Sequence, residues 1–113
     1  MGASNVQNFG GLINYSTDEA VVGTWIDGKP VYQKVITGIN VTPAYNSWTT
    51  ICNVPENIET FISYDIHSSN NMLITGSGFE IQVAGTTLIA EYNVNVNRRA
   101  FNRIILRYTK TTD

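Results

Sequence analysis

A chain of 113 residues is one domain, long enough to bury about two thirds of its unfolded surface in a single core and too short for two. Charged residues make up 14% of it, against about 25% in an ordinary soluble domain, and a formal net charge of -2 supplies no positive field for nucleic acid or an anionic bilayer. A lone cysteine excludes an intrachain disulfide, a lone histidine leaves no cluster of zinc-ligand spacing, and no apolar run is long enough for a membrane-spanning helix.

Residues 1–14 are rich in Gly, Asn and Ser around Gly10-Gly11 and read as a linker or an added N-terminus, leaving 15–113 as the single folded domain. The opening residues lack the basic-then-apolar pattern of a secretion leader. Ser16-Thr17-Asp18-Glu19 has capping-box spacing, a hydroxyl followed three residues on by a carboxylate, and predicts one short helical turn ended by Gly23.

Two β-branched and aromatic runs, 22–26 and 31–39, flank Asp27-Gly28-Lys29-Pro30 and predict a hairpin whose two turn residues take positive φ. Pro30 is expected to open an edge strand. Shorter strands are expected at 48–52 and at 79–84, the latter set off by Gly76-Ser77-Gly78 and ended by Gly85.

Alternation assigns faces to the remaining strands. In 58–66, Ile58, Thr60, Ile62, Tyr64 and Ile66 share the core side, with Glu59, Phe61, Ser63, Asp65 and His67 opposite. From Leu88 the period of two runs through Ala90, Tyr92, Val94 and Val96 and predicts one long half-buried strand, turned back at Asn97-Arg98-Arg99. The last strand places Ile104, Leu106 and Tyr108 inward and Arg103, Ile105, Arg107 and Thr109 outward. Seven or eight short strands without a long helical period predict an all-β, antiparallel β-sandwich, jelly-roll-like, with at most one short N-terminal helical turn.

The stretch NYSTDEAVVGTWIDGKPVYQKVI at 14–36, together with LRYTKTTD at 106–113, resembles a module found at the C-termini of tail-fibre and related host-recognition proteins of phages and prophages of Gram-positive and gut bacteria. The two segments cover somewhat over a quarter of the chain. The resemblance implies a fibre-tip β-domain of the virion, exposed to the extracellular medium, trimeric and joined to an upstream fibre module. Its loops would meet a bacterial cell-surface glycan or cell-wall polymer. A purely structural trimerisation or capsid-decoration domain is the alternative. Nucleic acid and membrane insertion are not expected.

The chemistry-bearing residues are few. A thiol hydrolase would need Cys52 activated by His67 with Asp65 or Asp27 behind it, but alternation puts Cys52 among the apolar positions of a strand. Asp65 with Glu59 or Glu80 could form a glycosidase pair, although outward strand carboxylates are ordinarily just solvated. Gly76-Ser77-Gly78 lacks the following helix a phosphate cradle needs. No enzyme activity, cofactor or metal is therefore expected.

Binding residues are better represented. Tyr45, Asn46 and Trp48, with Asn70 and Asn71, combine flat rings with amides and could stack on a sugar while bonding its hydroxyls. Arg98, Arg99, Arg103 and Arg107 could form an anion patch, or serve as charges that keep an edge strand from pairing. Tyr15, Trp25 and Tyr32, inside the resembling segment, are assigned to a subunit interface.

Overall fold

The computed structural model describes residues 18–69, 72–75 and 78–111. Within them lie eight strands: β1 Ala20–Thr24, β2 Pro30–Ile36, β3 Thr49–Asn53, β4 Ile58–His67, β5 Leu73–Ile74, β6 Phe79–Ala84, β7 Thr87–Tyr92 and β8 Arg103–Lys110. The 1–14 segment, Tyr15, the start of the capping box and Gly76-Ser77 fall outside the described residues.

The strands form a five-stranded sheet, β1-β2-β8-β4-β5, and a three-stranded sheet, β3-β7-β6, in which every strand pairing is antiparallel. They pack face to face as a β-sandwich. Phe101, Ile104, Leu106, Tyr108 and Ile66 are wholly buried against Ile51, Leu88, Ala90 and Tyr92. Phe79 joins the layers, its ring 5.6 Å from Phe101, 5.9 Å from Tyr92 and 6.3 Å from Tyr64 between centroids, distances at which edge-on and tilted rings attract.

The helical turn expected before Gly23 is not formed in its described part: Ala20–Thr24 is a strand paired with β2. Glu19, the expected capping carboxylate, instead accepts hydrogen bonds from Tyr108 Oη and Lys110 Nζ. Two charge-assisted bonds in a half-buried setting outweigh what a helix cap would contribute.

The hairpin forms where expected, with a different turn. Gly28 N donates to Trp25 O at 2.9 Å and Trp25 N to Lys29 O at 2.8 Å, so the loop is three residues, Ile26-Asp27-Gly28. Only Gly28 carries positive φ, at 87°, the arrangement of a type I turn followed by a glycine bulge. Pro30 opens β2 as expected, yet β2 lies inside the sheet and β1 forms the edge.

Two further departures come from pairing. In β4 the register against β8 shifts between Ile58 and Phe61 and again between Phe61 and Ser63, so Phe61 packs against the core rather than outward. Thr109, placed outward by alternation, is fully buried, and its hydroxyl is satisfied there by accepting from Thr60 N at 3.2 Å. The long strand from Leu88 stops at Tyr92 because neither neighbour continues: Phe79 is the last residue paired on one side and Thr49 on the other. Val94 and Val96 are consequently exposed.

Candidate functional site

Tyr45 and Trp48 stand on the connection between β2 and β3, at the end of the sandwich where β7 finishes. Ala44 and Ser47 bridge each other, closing a turn with Tyr45 and Asn46 at its tip. Asn46 takes φ 52°, a left-handed conformation that asparagine tolerates better than most residues.

The turn is tied down on both sides. Thr49 Oγ1 accepts from Ala44 N at 3.0 Å and donates to Ser47 O at 3.1 Å. Asn46 N donates to Tyr92 O at 2.8 Å, and Tyr92 N to Ala44 O at 2.9 Å, so the turn extends the end of β7. Pro43, just before it, is buried, and its carbonyl accepts from Arg98 Nη1 at 3.2 Å.

On this fixed base the two rings remain open, Tyr45 at 45% and Trp48 at 43% exposure. Rings held out by an ordered turn lose little entropy on stacking against a ligand. Asn46 is exposed between them. Asn70 and Asn71 lie outside the described residues.

The four arginines have separate settings. Arg98 and Arg99 are exposed in the loop after β7. That loop is anchored by Tyr92, whose hydroxyl accepts from Arg99 N at 3.0 Å and donates to Arg99 O at 3.3 Å. Arg103 and Arg107 are half-buried on the outer face of β8. Arg107 donates to Gln33 Oε1 and Asp65 Oδ2, each at 3.0 Å, and to Ser63 Oγ at 3.4 Å, while Arg103 Nε donates to His67 Nδ1 at 3.4 Å.

Of the residues assigned to a subunit interface, Trp25 is half-buried at the base of the first hairpin. Tyr32 stacks on Tyr108 with centroids 6.1 Å apart, and Lys110 Nζ sits 4.4 Å from its ring centre, so much of that ring is covered from within the chain. The exposed apolar residues of the hairpin are Val21, Val22 and Ile26, the last at 91%. Sequence reasoning missed Ile26, whose only signal was its place at the tip of a turn.

The thiol of Cys52 is pushed up to about 11 by burial, which keeps it protonated and un-nucleophilic at neutral pH. Cys52 lies in the three-stranded sheet and His67 in the other. Asp65 is bound to Arg107 and Glu59 to Lys29. Among the described residues no three His, Cys, Asp or Glu side chains converge as a metal site.

Two concavities complete the surface. One opens between β4 and the β6–β7 hairpin, with Phe61, Ile81 and Val83 inside and Glu56, Glu59 and Gln82 at its mouth. The other lies on the outer face of the five-stranded sheet, around Asp65, His67 and Arg103. No family model, no curated protein and no solved structure matches this chain.

Proposed function

We propose that this chain is the host-recognition domain of a phage fibre tip, binding a bacterial cell-surface glycan through the turn that carries Tyr45, Asn46 and Trp48. The observation that carries the reading is a pair of half-exposed aromatic rings on a turn fixed by four hydrogen bonds. Exposed rings ordinarily cost solubility, and an ordered pair flanked by amides suits the apolar face of a sugar. The resembling segments in 14–36 and 106–113 supply the biological setting: a homotrimer in the virion, exposed to the medium and attached to an upstream fibre module.

Replacing Tyr45 and Trp48 together by alanine is expected to reduce adsorption of the purified domain to its host cells at least tenfold. Folding stability should change by no more than about 0.5 kcal/mol, because neither ring belongs to the core. Unchanged adsorption by the folded double variant would remove the turn from the binding site.

A structural role in trimer assembly is the second reading, favoured by the exposed Val21, Val22 and Ile26 on the edge hairpin. An edge strand with exposed apolar side chains is a surface that a second copy can cover.

A further inference from the structure

We propose that the hollow on the outer face of the five-stranded sheet is a second ligand site, shaped for an uncharged pyranose. It is an open depression of about 550 Å³, lined by Val35, Thr37, Asp65, His67, Leu73, Arg103 and Ile105. That is ample for a sugar ring and within the usual range of small-molecule sites.

The strand register builds it. Val35, Ile105 and Asp65 form one rung across β2, β8 and β4, while Arg103, His67 and Leu73 form the next across β8, β4 and β5. Val35 and Ile105 lie at the base of the hollow, nearly closed to water, and Leu73, half-exposed at the sheet edge, is its open apolar wall. Thr37, exposed just beyond β2, stands opposite with its hydroxyl. Every one of these residues except Thr37 is on a strand, so the site does not have to be ordered by its ligand.

The polar groups decide the ligand class. Asp65 Oδ2 is engaged by Arg107, and Oδ1, which has no hydrogen bond among the described residues, is left as an acceptor. His67 Nδ1 accepts from Arg103 Nε, which puts the ring proton on Nε2 and makes that atom a donor. Residues 65 and 67 lie on the same face, about 7 Å apart along the strand. A donor and an acceptor two residues apart on one strand face, beside the exposed Leu73 side chain, suit two hydroxyls and the C–H face of a pyranose. A cation would meet the Arg103 guanidinium, and an anion the free side of the Asp65 carboxylate, so an uncharged ligand is the one that meets no like charge.

This site is separate from the Tyr45–Trp48 turn and does not rest on the function proposed for it. The test is a titration of the ¹⁵N-labelled full chain, followed by amide shifts, with N-acetylglucosamine, methyl glucopyranoside, inorganic phosphate and glycine, each to about 50 mM. The sugars are expected to move the amides of Thr37, Asp65, His67, Leu73 and Arg103, with half-saturation at about 1–10 mM. Phosphate and glycine are expected to leave them in place. Thr37→Arg, which fills the hollow from its rim without touching the Asp65–Arg107 pair, and Asp65→Asn should each weaken the sugar response about tenfold. The Tyr45→Ala/Trp48→Ala variant should retain it. Shifts produced by phosphate or glycine instead, sugar shifts confined to the turn, no sugar shift at all, or wild-type binding by Thr37→Arg would each overturn the assignment.

Discussion

Tyr92 serves two loops at once. Its backbone pairs with the aromatic turn and its hydroxyl bonds both the N–H and the carbonyl of Arg99, seven residues on. Tyr92→Phe keeps the buried ring and removes only those two bonds, so it should cost about 1 kcal/mol in urea denaturation and speed amide exchange at Arg99. Exchange at Asn46, whose bond is to the Tyr92 carbonyl, should be unaffected. A second residue-scale consequence follows from burial. Cys52 is raised from 9.0 to about 11 by desolvation; Tyr64 is raised by desolvation, and Tyr108 by desolvation and then by its bond to Glu19. All three hold their protons more tightly folded than unfolded, so the stability they contribute is complete below pH 9 and is lost as pH climbs. The melting temperature should therefore fall above pH 9, and Cys52→Ala should flatten the part of that fall between pH 9 and about 11. A melting temperature that rose over that interval would contradict the burial of these groups.

At the scale of the element, the alternation of side chains found most of the strands and mistook their lengths. Val94 and Val96 continue the period set by Leu88, Ala90 and Tyr92, but a strand needs neighbours, and none of the adjoining sequence announced that β3 and β6 would have ended. Phe61 was misplaced for a related reason: a bulge depends on which strand lies alongside and leaves no mark in a single sequence. The positions of turns were more legible than their types. The β6–β7 hairpin closes on Gly85-Thr86, with Gly85 at φ 64°, the first central position of a type II′ turn, and Thr87 Oγ1 bonding back to Ala84 O at 3.0 Å. Gly85→Ala should cost about 1–2 kcal/mol although a methyl group there would touch nothing, because the penalty lies wholly in the backbone. Gly23→Ala, at negative φ and equally open, should instead be neutral or stabilise the chain by up to about 1 kcal/mol. Paired thermal melts of the two variants check both signs.

For the whole molecule, composition and strand count were enough to specify a two-layer β-sandwich, whereas the division into five and three strands was hidden because it depends on where β8 inserts. Of the two candidate surfaces, only one could be named from the sequence. Tyr45, Asn46 and Trp48 stood out as rings and an amide beside Pro43, but the hollow around Asp65, His67 and Arg103 joins four strands and exists only after they pair. The edge of the larger sheet bears on assembly. If the proposed trimer assembles through the exposed Val21, Val22 and Ile26 there, sedimentation at micromolar concentration should give the mass of three chains, and Val21→Lys with Ile26→Lys the mass of one. A wild-type monomer would withdraw the assembly from both functional readings.

The position of β8 also governs when this protein can exist at all. The strand made last of the eight sits third in a row of five, between β2 and β4, and supplies Ile104, Leu106 and Tyr108 to the centre of the molecule. Until the ribosome delivers it, the two hairpins on either side have no common partner, and their apolar faces wait in water. Folding of this domain must therefore wait for β8 to be made, and a nascent chain stalled before residue 103 should be open to proteases and in need of a chaperone's protection.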